Sequence, residues 1–384
     1  MIALSFFHDK ITEQIKNQID SDKKYLFYPN EESSSSDWFT VYPITHSGSS
    51  KYFSNTKEWF SSLLTELKKA KKFIFLQFFS ISSGIMWEEI FYILKERQNA
   101  GVEVRIIYDN LVSAAKLPKN FSHRLNQIGI KCQPYYQRNR LVGIINQHYL
   151  HRKVGIIDGK IAFTGGMNIG DEYLNLISLY GIWQDVGILL TGNSVWNFTV
   201  MFLSIWHALS ATKEDYWQYY YPTKKNTTSS FLVYGDNPLE HSRTSETVLC
   251  SLIDKSRNSI FIYTPYFIPT RKLKKAFLQA KRRRVKITII LPEIPDKKLI
   301  YFFTKWFANS LKDEFFQIYF YQEGFIHGKV VLIDEKIVSI GNVNLDYYSL
   351  KYNFEYNLLT DEKNTIKEIV KDMKKVKKHS QKWE

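Results

Sequence analysis

Two short segments of the chain, residues 151–158 and 327–334, both read His-x-Lys-x-x-x-x-Asp. An imidazole can attack phosphorus to form a covalent phosphohistidine, or it can donate a proton to a leaving oxygen. The two histidines, His151 and His327, therefore supply both functions that cleavage of a phosphodiester requires, without a metal ion. One such triplet can arise by chance in a basic protein, but a matched pair is not expected to.

Four further residues at equivalent positions are candidates for binding the phosphate. Lys153 and Lys329 lie two positions after the histidines, so alternation along a strand predicts that each lysine shares a face with its histidine. Asn168 and Asn344 each follow their histidine by 17 positions (168 − 151 and 344 − 327). Ammonium and amide groups would bind the non-bridging oxygens and stabilise the charge of the pentacoordinate state.

Four acidic residues accompany the two motifs. A carboxylate behind an imidazole fixes its tautomer and stabilises its cation, and Asp185 and Glu355 are the candidates for this role. Each is assigned to the histidine of its own half, 34 and 28 positions before it. Asp158 and Asp334 complete the catalytic motifs, but an aspartate at the end of a strand also suits a tight turn. We therefore expect a structural role for these two.

The elements that must position these residues follow an α/β pattern. Apolar residues at helical spacing after Asn55, and the apolar run Phe73–Phe79, predict a helix and then a buried strand. A second helix and strand are predicted at 86–97 and 102–108, and the same order returns at 245–256, 259–263, 273–283 and 285–291. The chain is therefore predicted to consist of two related α/β halves.

The length of 384 residues fits two units of ordinary size. We assign residues 1–50 to a polar N-terminal segment with a serine-rich linker and 51–215 to the first half. Residues 216–230, rich in Tyr, Thr, Asn and Lys, are predicted to connect the halves. Residues 231–384 form the second half, with a basic C-terminal tail.

The composition narrows the classes of partner and the compartment. Lys and Arg outnumber Asp and Glu by 52 to 38, and the resulting formal charge of +14 favours nucleic acid or an anionic lipid surface. Only two cysteines are present, which argues against a disulfide scaffold or a Cys-rich zinc site and favours the cytoplasm. No signal peptide is predicted, and the longest apolar-leaning stretch, Val195 to Leu209, is too short to span a bilayer.

At these residues the sequence resembles the phospholipase D superfamily, and the surrounding segments resemble its bacterial cardiolipin synthase branch. The resemblance runs from about residue 51 to residue 384. It is carried by AFTGGMNIGDEY at 162–173, GIWQD at 181–185, TPYFIP at 264–269, GFIHGK at 324–329, and NLD and NFE beginning at Asn344 and Asn353.

The resemblance implies a fold, a reaction and roles for the histidines. The fold is a pair of α/β sandwich halves, each a mixed β-sheet flanked by helices, related by a pseudo-twofold axis with the site in the cleft between them. The reaction is transfer of a phosphatidyl group from one phosphatidylglycerol to another with release of glycerol, and no cofactor or metal is implied. His151 is implied as the nucleophile and His327 as the general acid. A hydrolytic phospholipase D, and a nuclease of the same superfamily, remain alternatives, although no nucleic-acid-binding module is recognisable.

The sequence also departs from the family's pattern. Two membrane-spanning helices usually begin the family's members, and none is predicted here. The other departures are Gln77 for Glu, Leu150 for Asn, Asn342 for Thr or Ser, and Tyr348 for Arg. A lipid enzyme without a spanning helix must reach the bilayer by its surface. We therefore expect peripheral contact with the anionic cytoplasmic face of the membrane through Lys281–Arg284 and the lysines between 367 and 382. The sequence does not indicate the oligomeric state.

Overall fold

The computed structural model describes residues 13–27, 42–136, 148–224, 226–240 and 243–384. Within these ranges, helices cover two large β-sheets of seven and nine strands. The four consecutive serines of the predicted N-terminal linker lie outside the described residues.

The helices and strands have the following bounds. The helices are α1 (described over 13–22), α2 (Thr56–Lys69), α3 (Ile85–Asn99), α4 (Asn110–Ser113), α5 (Phe121–Gln127), α6 (Val195–Ser210), α7 (Thr244–Lys255), α8 (Arg271–Arg282), α9 (Lys298–Asn309), α10 (Tyr347–Tyr352) and α11 (Lys363–Lys378), with 3-10 turns at Lys23–Leu26 and Tyr216–Tyr219. The strands are β1 (Thr45–Ser47), β2 (Ser49–Phe53), β3 (Phe73–Phe78), β4 (Glu103–Asp109), β5 (Lys131–Tyr135), β6 (Val154–Ile157), β7 (Ile161–Gly165), β8 (Ile182–Gln184), β9 (Gly187–Thr191), β10 (Asn226–Asp236), β11 (Ser259–Tyr263), β12 (Phe267–Ile268), β13 (Lys286–Pro292), β14 (Phe316–Tyr321), β15 (Gly324–Ile326), β16 (Val330–Ile333), β17 (Ile337–Gly341), β18 (Leu345–Asp346), β19 (Glu355–Thr360) and β20 (Ser380–Lys382).

The two sheets repeat one strand order. The first runs β2-β9-β7-β6-β3-β4-β5 and the second β1-β10-β19-β17-β16-β11-β13-β14-β20. The parallel run β3-β4-β5 matches β11-β13-β14, and antiparallel β6, β7 and β9 match β16, β17 and β19. The predicted fold class, two related halves with mixed sheets flanked by helices, is therefore confirmed.

Local sequence explains where the predicted elements begin. Helix α2 starts at Thr56 because the side chain of Asn55 accepts a hydrogen bond from the backbone N–H of Glu58. Its apolar face buries Trp59 and Leu63 against the first sheet. Every side chain of β3 is buried, including the polar Gln77, as the run at 73–79 predicted for a buried strand.

Three apolar cores hold the layers together. One lies outside each sheet under its helices, and the third takes residues from both sheets and from α6 and α11. Strand side chains divide between cores by alternation, so Val154 and Ile156 of β6 belong to the central core while Ile157 belongs to the outer one. The central core therefore joins the two halves.

The longest apolar-leaning stretch of the sequence forms α6. Its side chains from Val195 to Ala208 are all buried, and it contributes to the central core. Within the described ranges, no helix combines the length and apolar character needed to cross a bilayer.

Three strands cross the limits that the sequence suggested for the halves. Strand β2 begins at Ser49, inside the predicted segment 1–50, and belongs to the first sheet. Strand β1, inside the predicted segment 1–50, pairs with β10 in the second sheet. Strand β10 begins at Asn226, inside the predicted connection 216–230. Its first residues are polar and only partly buried because β1 is their neighbour at the edge of the sheet, so they lack the apolar pattern of an inner strand. The division of the chain into halves at these points stays a prediction.

Candidate active site

Each histidine–lysine pair lies in an extended segment directly before a central strand. Lys153 precedes β6 and Lys329 precedes β16, while His327 directly follows β15. We expected each pair to lie within its strand, and this is wrong. The strand pairing begins only at the next residue, Val154 or Val330, because the segments carrying the histidines pair with the opposite half instead.

Parallel pairing between the halves brings His327 to a carboxylate. Strand β15 pairs with β8 so that Ile326 lies opposite Gln184. The next residues along the two strands are His327 and Asp185, and Asp185 Oδ2 accepts a hydrogen bond from His327 Nδ1 at 2.6 Å.

The other histidine is held in the same way. Leu150 forms an isolated parallel bridge with Phe354, so the next residues, His151 and Glu355, face each other. The carboxylate of Glu355 lies 2.8 and 2.9 Å from His151 Nδ1, and its side chain is fully buried. Each half thus supplies a histidine to one pair and a carboxylate to the other.

This exchange corrects the predicted pairing. We assigned Asp185 to His151 and Glu355 to His327, within each half, and the structure pairs them across the halves. The contact is reciprocal, as a twofold relation between two similar units requires. Spacing along the chain could not reveal it, because the register that decides it joins strands from different halves.

Neighbouring residues hold the two carboxylates in place. Gly166 leaves the space that Asp185 occupies, because a Cβ at Gly166 would lie 2.1 Å from Asp185 Oδ1. Glu355 accepts hydrogen bonds from Ser349 Oγ at 2.6 Å and Asn353 Nδ2 at 3.2 Å. Ser349 and Asn353 were missed as functional candidates. Asn353 opens the NFE segment of the resemblance, which was the signal that could have found it.

Two buried lysines make the site positive. Lys153 Nζ donates a hydrogen bond to the carbonyl of His151 at 2.6 Å, and Lys329 Nζ donates to the carbonyl of His327. Burial lowers the pKa of Lys153 to about 7 and the pKa of Lys329 to about 8, since removal from water penalises the charged form.

The histidine–carboxylate pairs have shifted pKa values. Burial lowers the pKa of His327 to about 4 and that of His151 well below its ordinary value, and the nearby lysine charges act in the same direction. Burial raises the pKa of Glu355 to about 8. Burial also opposes ionisation of Asp185, but the charge and hydrogen bond of His327 outweigh it and lower the pKa of this carboxyl. The two pairs are therefore not equivalent.

The two candidate phosphate-binding asparagines differ in their contacts. Asn168 Oδ1 accepts from the backbone N–H of Ser80 at 3.1 Å, and its Nδ2 donates to the Tyr173 hydroxyl at 2.6 Å. Asn344 is 5% exposed, and its Oδ1 has no hydrogen-bond partner among the described residues. Both ends of the Asn168 amide are thus held by the protein, while the Oδ1 atom of Asn344 is left without a partner among the described residues.

The motif aspartates lie at the other end of β6 and β16 from the histidines. Asp158 accepts hydrogen bonds from the backbone N–H groups of residues 71–73, and Asp334 accepts from those of residues 257–259. Both have a left-handed backbone, with φ of 53°. We listed Asp158 and Asp334 with the catalytic motifs, and their contacts instead give them the structural role that the turn chemistry indicated. Asp158 ties the start of β3 to the end of β6, and Asp334 ties the start of β11 to the end of β16.

Aromatic rings surround the histidines. The ring of His327 lies 5.1 Å from Trp183, 5.7 Å from Phe325 and 5.9 Å from Tyr173. The ring of His151 lies 4.8 Å from Phe79. These rings reduce the access of water to the imidazoles, which is consistent with their lowered pKa values.

Asn342, one of the departures from the family pattern, joins the halves beside the site. Its Oδ1 accepts from the backbone N–H of Lys153 at 2.9 Å, and its Nδ2 donates to the carbonyl of Gly165 at 2.5 Å. The equivalent residue in the first half is Gly166, so this bridge is made from one side only. Another departure, Gln77, accepts from the hydroxyl of Tyr356 at 2.9 Å and also bridges the halves.

The chain was compared with protein families, with curated proteins and with solved structures. The family model described as "Cardiolipin synthase, PLD-like domain" matches residues 63–178 and 249–377. An uncharacterized protein of Streptococcus mutans serotype c is 34% identical over 97% of this chain and 82% of its own length. Cardiolipin synthase 2 of Bacillus anthracis is 32% identical over 86% of this chain and 65% of its own length, and the cardiolipin synthase of Oceanobacillus iheyensis is 30% identical over 88% and 68%.

The chain thus spans about two thirds of the length of these cardiolipin synthases. Among solved structures, a phosphatidylserine synthase of Haemophilus influenzae Rd KW20 has a TM-score of 0.68 over 87% of both chains, at 14% identity, which shows a shared fold. The family model covers more than half of the chain, and its two matched regions contain the two histidine–lysine motifs. The chain belongs to the phospholipase D superfamily, in the cardiolipin synthase family that its motifs predicted.

Proposed function

We propose that this chain is a phosphatidyltransferase that moves the phosphatidyl group of one phosphatidylglycerol to a hydroxyl of another, through a phosphohistidine, and releases glycerol. The observation that carries the proposal is the pair of histidines whose Nδ1 atoms are each held by a buried carboxylate of the opposite half. A neutral imidazole held in this way presents its Nε2 atom for reaction. The cardiolipin synthases among the relatives suggest the lipid substrate.

The reaction follows in two displacements. In the first, Nε2 of one histidine attacks phosphorus, a nitrogen–phosphorus bond forms, the bond to the glycerol oxygen breaks, and the second histidine gives that oxygen its proton. In the second, the hydroxyl of another phosphatidylglycerol gives its proton to the same histidine as its oxygen attacks, and the nitrogen–phosphorus bond breaks. Lys153 and Lys329 stabilise the non-bridging oxygens in both steps.

The bound phosphate supplies the charge that the histidines need. In the free protein, burial and the lysines keep the pKa values of His151 and His327 low. A phosphodiester brings one negative charge next to both lysines, which offsets their effect and raises the pKa of the imidazoles. Protonation of the proton-donating histidine is thereby coupled to substrate binding.

The two histidines are proposed to have fixed roles. The family resemblance favours His151 as the nucleophile. The protonation of the free pairs points the other way, because the raised pKa of Glu355 leaves a proton on the His151 pair near neutral pH. We propose His151 as the nucleophile, because bound phosphate changes the protonation of both histidine–carboxylate pairs and the free pairs therefore do not decide the roles. Acid quenching during turnover of radiolabelled lipid, followed by peptide mapping, should place the label on His151; label on His327 would reverse the roles.

Transfer needs no external energy source. The phosphohistidine retains the energy of the phosphodiester, and the reaction exchanges one primary glycerol hydroxyl for another of similar character. Transfer exceeds hydrolysis when a second lipid head group lies close to the intermediate and water is kept away. The aromatic rings beside His151 and His327 support such a site.

Peripheral contact with an anionic membrane is part of the proposal. The lysines of α11 at 371, 374, 375 and 378 are exposed, and Lys382 follows in β20. The cluster Lys281–Arg284 is less available, since Lys281 pairs with Asp313 at 2.8 Å and Arg283 donates to the carbonyl of Ile253 at 2.7 Å. The α11 lysines are therefore the better supported of the two predicted clusters.

Product analysis tests the function. With phosphatidylglycerol vesicles as the only lipid, and with a chelator present, we expect cardiolipin and free glycerol. His151→Ala and His327→Ala should each lower turnover by several orders of magnitude, because each step needs both imidazoles. Phosphatidic acid as the only product would make the chain a hydrolytic phospholipase D. Cleavage of DNA or RNA without lipid turnover would identify it as a nuclease.

A further inference from the structure

Helix α9 carries its apolar residues on the side that faces solvent. Leu299, Phe302, Phe303 and Trp306 follow the spacing of one helical face, and Leu299, Phe302 and Trp306 are 68%, 63% and 57% exposed. The fully buried residues of the helix are small, Thr304 and Ala308, and the larger Tyr301 and Phe307 pack against the core only in part. A soluble helix normally has the opposite arrangement.

Two other helices of the second half show the usual arrangement. Helix α8 buries Leu273, Ala276, Phe277 and Ala280, and α11 buries Ile366, Ile369, Met373 and Val376, while the lysines of both helices lie mainly outside. Helix α9 therefore differs from α8 and α11, because several of its large apolar side chains face solvent although it, like α8, covers the second sheet from outside.

The loop between Tyr173 and Trp183 is also apolar and exposed. Leu176, Ile177, Leu179 and Ile182 are all about half exposed or more. We call these residues and the outward face of α9 together the apolar rim; its members are Leu176, Ile177, Leu179, Ile182, Leu299, Phe302, Phe303 and Trp306.

Both parts of the apolar rim border the site. Trp183, which ends the loop, lies 5.1 Å from the ring of His327 and 4.9 Å from that of Phe325. On the other side, Thr304 of α9 accepts a hydrogen bond from the backbone N–H of Phe267 in β12, and the ring of Tyr266 lies 6.5 Å from that of Phe325. Both parts of the rim are thus connected through Phe325, whose ring lies 5.7 Å from that of His327, to the His327 side of the site.

The charged residues within α9 are all positive. The helix contains Lys298 and Lys305 and no acidic residue, and Lys297 lies directly before it. Lys297 Nζ donates to the hydroxyl of Tyr266 at 2.7 Å and pairs with Asp296, and its charge lowers the pKa of His151. An apolar face bordered by lysines fits an anionic bilayer, where the rings enter the acyl region and the ammonium groups meet the phosphates.

We propose that the apolar rim inserts into an anionic phospholipid bilayer and delivers lipid head groups from that bilayer to His327. The lipid-delivery part rests on the proposed function, whereas insertion does not. A second copy of this chain fits the face less well, because a formal charge of +14 opposes self-association. Insertion would place the reacting phosphate beside the aromatic rings and exclude water, which favours transfer over hydrolysis.

Vesicle binding by the full chain tests insertion. Vesicles of equal parts phosphatidylglycerol and phosphatidylcholine, with bromine on the acyl chains of the phosphatidylcholine, should quench the fluorescence of Trp306, measured as the difference between the parent and Trp306→Phe. The triple variant Leu299→Ser, Phe302→Ser, Trp306→Ser should bind these vesicles at least ~10-fold more weakly, since each side chain loses a favourable transfer to the acyl region. Tyr221→Ser, an exposed aromatic near Gly159 at the far end of β6, is the matched control and should bind like the parent.

Turnover separates this proposal from the proposed function. The triple variant should lose activity on vesicles in proportion to binding, but should convert dispersed short-chain phosphatidylglycerol at the parent's rate. Parent-like vesicle binding by the triple variant would overturn insertion. A dimer of the parent that the triple variant abolishes would also overturn insertion, because a second copy would then cover the apolar face. Protection of Trp306 from acrylamide quenching before lipid is added would overturn it as well, because another copy or another segment of the chain would then cover this face. Absence of turnover on either lipid in the parent would refute the proposed function and leave the vesicle-binding result as the test of insertion.

Discussion

The carboxylate of Asp185 provides a direct test of the paired active site. It is fully buried, and its Oδ2 lies 2.6 Å from His327 Nδ1. Asp185→Asn keeps the size of the side chain and removes the charge that holds the tautomer of the ring and stabilises its cation. The same change in a Ser-His-Asp triad lowers kcat by about 10⁴. We expect a fall of about 10³–10⁴ in kcat, which corresponds to about 4–5.5 kcal/mol of transition-state stabilisation.

The assay is steady-state turnover of phosphatidylglycerol together with thermal unfolding. The fall should appear in kcat with little change in KM, because the two lysines proposed to bind phosphate are untouched. Glu355→Gln should give a similar fall, since Glu355 holds His151 in the same way.

Asp334→Asn is the matched control. It makes the same chemical change at the far end of β16, where Asp334 accepts three backbone N–H groups. It should lower the free energy of unfolding by about 1–3 kcal/mol and leave kcat of the folded protein within a few-fold of the parent. Parent-like kcat in Asp185→Asn, or an equal loss of kcat in Asp334→Asn, would refute the assignment of the carboxylates.

Three further outcomes follow from the structure. Gly166→Ala should lower kcat about as much as loss of Asp185, because the new Cβ would lie 2.1 Å from the carboxylate; steady-state kinetics on the folded variant checks this. Burial holds the pKa of Lys153 near 7 and that of Lys329 near 8, so kcat/KM should fall as the pH rises through this range and both lysines lose the charge that binds phosphate; a constant kcat/KM up to about pH 9 would contradict their role. Sedimentation with vesicles should show stronger binding to anionic than to neutral lipid and weakening in salt, because the α11 lysines act through screened charges; equal binding to both lipids in all salt concentrations would count against them.

Local patterns predicted much of the fold. The helical spacing after Asn55 predicted α2, and the apolar run at 73–79 predicted β3 to within one residue of its end, because each element's core-facing side is encoded within its own segment. The same order in both halves predicted the repeated sheets. Strand β10 was harder to predict, since its polar first residues are paired only with an edge strand that comes from far away in the sequence.

The reacting groups could also be predicted, but their partners could not. The repeated motif identified His151, His327 and the two lysines, because the spacing of side chains along an extended chain is local. The carboxylates were identified as candidates and assigned to the wrong histidines. Which carboxylate meets which histidine depends on the parallel register of β8 with β15, and that register joins segments about 140 residues apart.

The sequence by itself determined the superfamily, the two α/β halves and the residues proposed to perform the chemistry, since all of these follow from short-range patterns repeated twice along the chain. Only the tertiary structure decided that the carboxylates are exchanged between the halves, that Gly166 makes room for Asp185, and that the apolar face of α9 points outward. From sequence, the spacing of Leu299, Phe302 and Trp306 indicates a helix with one apolar face, and it is equally typical of a core helix. The direction of that face depends on what the other side packs against, and here Thr304 and Ala308 are the buried residues and Thr304 bonds to the backbone of β12.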